Sequence, residues 1–123
     1  MTDKGSGEPR AEPMDARAID RAVLGEWLGD DNIGINSLLT VFQGSIHTEF
    51  ASLRTLLEGE DMVEFARTAH RLQGAAMAMG ARVLGETAAI LDAAAQAGYK
   101  DQCAKGMAGL EREIHRMDAE IPG

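Results

Sequence analysis

Apolar residues recur every three or four positions along most of this chain, the spacing that lines one face of a helix. Ile35, Leu38, Leu39, Phe42, Ile46, Phe50, Leu53 and Leu57 predict a helix from about Gly34 to Glu58, opened by Asp30-Asp31 and closed by Gly59. Met62, Phe65, Ala66, Ala69, Leu72, Ala76 and Met79 predict a second helix that ends near Gly80. Asp61, with Glu64 three residues on, resembles a capping box for it, Asp taking the usual Ser or Thr role. Leu84, Ala88, Leu91 and Ala95 form a third stripe, stopped by Gly98. Cys103, Met107, Leu110, Ile114, Met117 and Ile121 then alternate steps of four and three in the manner of a bundle seam, and Pro122 ends the helical potential. Ahead of all of these, Asp20 is placed to cap a short helix carrying Val23, Leu24 and Trp27 and ended by Gly29.

Long helices joined by breaks of about two to four residues pack as antiparallel neighbours. The predicted fold is therefore all-α, an antiparallel up-down four-helix bundle with a short additional N-terminal helix as a lid. A chain of 123 residues makes one domain, with a core able to bury about two-thirds of the surface its unfolded form exposes. With only five aromatics, that core must be built from Leu, Ile, Val, Met and Ala, which suits helices. Residues 1 to about 14 place Gly5, Gly7, Pro9 and Pro13 among charges, so a disordered lead-in (1–14) to a helical domain (15–123) is expected.

The net charge of −8 argues against nucleic acid as a partner, because phosphate binding needs a concentrated basic surface. Cys103 is the single cysteine, which excludes an internal disulfide or a Cys-based zinc site, and its place on the seam reads as a small buried hydrophobe. No apolar run is long enough to span a bilayer, and the polar start lacks the apolar stretch of a secretion signal. A cytoplasmic monomer without membrane contact is expected.

His70 breaks the pattern of its helix. At about 100° per residue it points roughly 120° from the mean direction of the apolar stripe. Gly74 lies one turn on, nearly in line with it. A glycine in mid-helix costs about 1 kcal/mol relative to Ala, so its place beside the histidine predicts close approach by something large. An isolated histidine on a helix face is most often merely solvated; the residues around this one set it apart. Ala69, His70, Leu72, Gly74, Gly80 and Leu84 resemble the signature of the histidine-containing phosphotransfer (HPt) domain: an Ala-His pair, a hydrophobic residue, Lys, Gly and, ten residues after the histidine, another Gly. The similarity runs from Ile19-Asp20 and Leu24 through Gly29-Asp30-Asp31 and Leu38-Leu39 with Phe42 to the end of the chain. Gln73 departs from it, standing where the family usually has Lys.

The resemblance implies a histidine phosphotransfer protein of a two-component phosphorelay, with His70 as the phospho-accepting residue. Its Nε2 would attack an aspartyl phosphate on a response-regulator receiver domain, free or part of a hybrid histidine kinase, or return the group to another receiver. A neutral imidazole suits this because it is nucleophilic near neutral pH. The receiver brings the magnesium ion, so the chain itself needs no cofactor and no metal. Asp92, twenty-two residues after His70, stands where similar domains place a residue that accepts a hydrogen bond from the histidine Nδ1, which would fix the tautomer and leave Nε2 free.

Arg67 and Arg71 flank His70 and offer a small basic patch to a phosphate, although pairing with carboxylates such as Glu64 is the commoner duty of such residues. Gln73 can donate a neutral hydrogen bond where Lys would bring charge. Met77, about 20° from His70 on the helical wheel, fits an adaptable docking rim. Gly80 doubles as a left-handed helix stop. His47 and His115 lack Cys or carboxylate companions at ligand spacing and read as solvated.

Two other functions compete. A kinase is not expected, since the chain has no glycine-rich nucleotide loop, and no ATP-binding domain follows to make this the phospho-accepting part of one. The alternative is a non-phosphorylated helical adaptor that binds receiver or kinase domains, with Gln73 as the first sign of decay.

Overall fold

The computed structural model describes residues 17–121, so the expected lead-in and Pro122 lie outside the described residues. Five helices follow one another: α1 (Arg21–Leu28), α2 (Asn32–Glu58), α3 (Met62–Ala78), α4 (Arg82–Gln96) and α5 (Lys100–Glu120). Helices α2 to α5 form the predicted antiparallel bundle, each packing on its successor and α2 closing against α5. Its centre is a layer of fully buried side chains that includes Leu39, Ile46 and Leu53 of α2, Phe65 and Leu72 of α3, Leu91 of α4, and Leu110 and Met117 of α5. All six residues of the predicted seam from Cys103 to Ile121 are buried.

The predicted caps form at three N-termini. Asp20 accepts from the Ala22 amide, Asp31 from Gly34 and Asp61 from Glu64, each satisfying a donor that has no partner within its helix. The cap, not the apolar periodicity, sets the start of α2, which begins at Asn32 instead of Gly34. The capping box at α3 is only half made. The Asp61 amide already donates to the Leu56 carbonyl, and the Glu64 carboxylate turns to Arg67. At the end of α2 the left-handed residue is Glu60 (φ 58°), while Gly59 keeps an ordinary helical φ of −81°.

Two apolar residues of the predicted stripes are exposed. Trp27 is 78% exposed, because α1 has only eight residues and buries Leu24 alone. Leu38 is 40% exposed, since Leu39 beside it takes the inward position.

The segment ahead of α1 nevertheless anchors as a lid, through Ala18 and Ile19, both buried. The Ala18 and Ile19 amides donate to the two carboxylate oxygens of Glu120 at 2.6 and 3.0 Å. The Asp20 amide donates to the Gly80 carbonyl at 2.8 Å. Gly80 has φ +80°, and a Cβ there would lie 2.5 Å from the Asp20 carbonyl oxygen. Glycine is therefore required twice over, by backbone conformation and by the close approach of another segment. This contact fixes the α3–α4 turn, and with it the register of the helix that carries His70.

Candidate functional site

Burial of Phe65, Ala66, Ala69, Leu72 and Ala76 turns one face of α3 inward and sends His70, at the centre of the helix, outward. Its side chain is 74% exposed, yet it is held. Nδ1 lies 3.2 Å from Oδ2 of Asp92 on α4. Asp92 is buried, one of two polar side chains so placed among the described residues. The close contact of α3 and α4 that brings the two together is made by small residues on α4: Ala88 and Ala95 are buried, and a Cβ on Gly85 would lie 2.6 Å from the Met77 sulfur.

An ionised carboxylate can only accept hydrogen bonds, so this contact requires the hydrogen of a neutral imidazole to sit on Nδ1. The lone pair is then on Nε2, directed toward solvent. The pair borders an open cleft of about 750 Å³ whose apolar lining is Met62, Val63, Ala66 and Ala95. What the arrangement supplies is a single oriented imidazole on an exposed helix face, with space in front of it and a carboxylate behind it.

The other predicted residues are distributed around this pair. Arg67 donates to Glu64 at 2.8 Å, and Arg71 reaches Glu49 at 3.4 Å and the Thr68 hydroxyl at 3.2 Å. Both guanidinium groups line the cleft. Their carboxylate pairs are exposed and of the kind worth about 0–1 kcal/mol, so either guanidinium can leave its partner at small cost. Gln73 is half-buried, and its backbone carbonyl oxygen lies close to Gly85 of α4. Gly74 is exposed, and a Cβ on it would meet nothing within 4 Å. Met77 is 46% exposed.

One participant escapes the sequence reading. Gln96, the last residue of α4, donates from Nε2 to Oδ1 of Asp92 at 2.8 Å. The signal was its spacing: four residues after Asp92, it shares that residue's face of the helix.

His47 also differs from expectation. Its Nε2 lies 2.9 Å from Asp118 of α5, seventy-one residues away, beyond the reach of any spacing argument. Gln43 donates to the same carboxylate at 2.7 Å. Burial alone pushes the Asp118 carboxyl up, but the hydrogen bonds from Gln43 and His47 and the charges of His47 and His115 prevail, leaving its pKa below the ordinary value. This cluster ties α2 to α5 and contributes nothing to the cleft. Cys103 is buried, which raises its thiol pKa and keeps it protonated.

Among the described residues, no helix is long and apolar enough to cross a membrane. No curated protein and no solved structure matches the chain. The family model of the Hpt domain matches residues 37–120, a span that holds the whole of α3, α4 and the cleft.

Proposed function

Because the chain belongs to the Hpt domain family, we propose that it is a phosphoryl carrier of a two-component phosphorelay, taking the group onto Nε2 of His70 from the aspartyl phosphate of a receiver domain and passing it to another. The observation that carries this reading is the exposed imidazole whose Nδ1 is held by the buried Asp92 carboxylate. The Nε2 lone pair forms the N–P bond as the acyl-phosphate P–O bond breaks, and the receiver's aspartate leaves as a carboxylate. The ring, which keeps its hydrogen on Nδ1, gains a positive charge in this step. Asp92 lies where it offsets that charge, the role a carboxylate plays behind a catalytic imidazole elsewhere. Arg67 and Arg71 stand on the rim of the cleft, where the phosphoryl oxygens gather negative charge.

The same geometry supports a carrier that catalyses no reaction alone. The chemistry at His70 needs only a partner that brings an activated phosphoryl group and the ion that neutralises it. Gly74 and Met77 leave an uncharged surface beside His70 for that partner.

The test is transfer of labelled phosphoryl groups from a phosphorylated receiver domain to the wild type and to His70→Gln. The wild type should acquire an acid-labile label, and the variant none, with its thermal unfolding unchanged because residue 70 projects into solvent. Labelling of His70→Gln at the wild-type rate would refute the assignment. Binding of receivers by a wild type that never takes label would identify an adaptor instead.

A further inference from the structure

The Asp92 carboxylate divides its two oxygens between His70 and Gln96. Oδ2 faces His70 Nδ1 at 3.2 Å, and Oδ1 takes the Gln96 amide at 2.8 Å. The first distance is long for a hydrogen bond to a charged acceptor, for which about 2.7–2.9 Å is usual. A carboxylate rotates about its terminal bond with little preference. With a long contact on one side, its orientation must be held from the other.

We propose that Gln96 is a positioning residue for phosphoryl transfer at this site, acting through Asp92; the inference rests on the carrier function above and adds a third member to its machinery. By fixing Oδ1, the amide sets where Oδ2 lies, and so keeps the His70 hydrogen on Nδ1 and the nucleophilic lone pair on Nε2. Gln96 also suits the task by being neutral. It draws electron density from the carboxylate, which restrains Asp92 from removing the Nδ1 proton as the ring becomes positive. A cationic residue there would do this too, while adding a charge to the cleft. The side chain is exposed and sits at the end of α4, and among the described residues Asp92 is the partner that its amide addresses.

The experiment uses Gln96→Leu, which keeps bulk and loses the donor, Gln96→Ala as a second loss variant, and Gln96→Lys, which restores a donor. The first readout is the tautomer ratio of His70 from the ¹⁵N shifts of its ring, which requires no phosphoryl transfer. The second is the rate at which phosphoramidate, a small donor that needs no docking surface, labels His70. In Gln96→Leu and Gln96→Ala the ratio should move two- to fivefold away from the Nδ1–H form and the labelling rate should fall by a similar factor; Gln96→Lys should restore both. A wild-type tautomer ratio in both loss variants would overturn the proposal. So would a loss of rate with the ratio unchanged, since Gln96 would then act on the donor directly. If the wild type itself takes no label, the carrier reading fails, while the tautomer shift still reports on Gln96 separately.

Discussion

Gly74 separates the demands of folding from those of transfer. It sits in the interior of α3 with an open space where its Cβ would be, and it has no positive φ to require glycine. Replacing it with Ala should therefore recover the propensity that glycine forfeits, about 0.8–1 kcal/mol. For a domain of this size that corresponds to a rise in Tm of about 4 °C or more. Gly74→Leu should gain nearly as much, because Leu is almost as good a helix former. Transfer should respond in the opposite order. Residue 74 lies one turn from His70, about 6 Å along the axis, on the face a receiver must cover to bring phosphorus within reach of Nε2. A misplacement of about 1 Å in such an approach can cost 10²-fold. Gly74→Ala should slow transfer from a phosphorylated receiver by less than about threefold, and Gly74→Leu by about 10- to 100-fold. Labelling by phosphoramidate, which needs no broad surface, should stay at the wild-type rate in both. Denaturant unfolding and rapid-quench transfer measure the two sides. A Leu variant that is stabilised and still receives the group at the wild-type rate would show that close approach is not why the glycine is there. A destabilised Ala variant would show that the glycine serves the fold.

Three further outcomes are expected. Gln73→Lys adds a positive charge one turn from His70; a partly exposed charge-assisted contact with the phosphoryl group is worth about 0.5–1 kcal/mol, so the equilibrium ratio of phosphorylated His70 to phosphorylated receiver should rise about two- to fivefold, and less at high salt. An unchanged ratio at two ionic strengths would mean that Arg67 and Arg71 already supply the charge. Gly80→Ala forces a side chain into a left-handed residue and onto the Asp20 carbonyl, which should cost about 2 kcal/mol or more and lower Tm by about 10 °C; a loss below about 0.5 kcal/mol would contradict the contact. Asp118 has a folded pKa below the ordinary aspartate value, so its ionised form stabilises the fold above that ordinary value and the contribution disappears as pH falls through the lower folded one. Asp118→Asn should therefore be less stable than wild type near neutrality, by at most about 1 kcal/mol for so exposed a pair, and the difference should vanish once the pH falls below the folded value. A difference that persists in acid would assign the effect to packing.

The bundle was legible because its signals are local. A stripe with a period of 3.6 residues, an aspartate one residue ahead of it and a glycine after it are all visible within a single helix. Where two local signals competed, the one fixed by hydrogen bonds won, as when Asp31 started α2 ahead of the apolar pattern and Glu60 took the left-handed position from Gly59. The outward histidine was legible for the same reason, since Ala66, Ala69, Leu72 and Ala76 define the direction from which His70 departs. Trp27 stays exposed because apolar character fixes a preference for burial, while α1 offers too short a face to satisfy it. Contacts between helices were beyond periodicity alone. His47 and Asp118 meet across seventy-one residues, and Gln96 gains its meaning only when Asp92 is seen between it and His70.

The grip of Glu120 on the Ala18 and Ile19 amides brings the first and last described residues to the same end of the bundle. Their separation is then a matter of one side chain, so a short linker can join them without disturbing a helix, and the fold should tolerate circular permutation. New ends opened at the α4–α5 turn, where Gly98 already makes the reversal with a φ of +80°, would leave α3 and α4 adjacent in sequence and the His70–Asp92–Gln96 array unbroken. A receiver joined at either end of the described span would also be tethered from one point, about 15 Å along the axis from His70. Its effective concentration at the histidine would therefore be set by linker length and not by which end carries it.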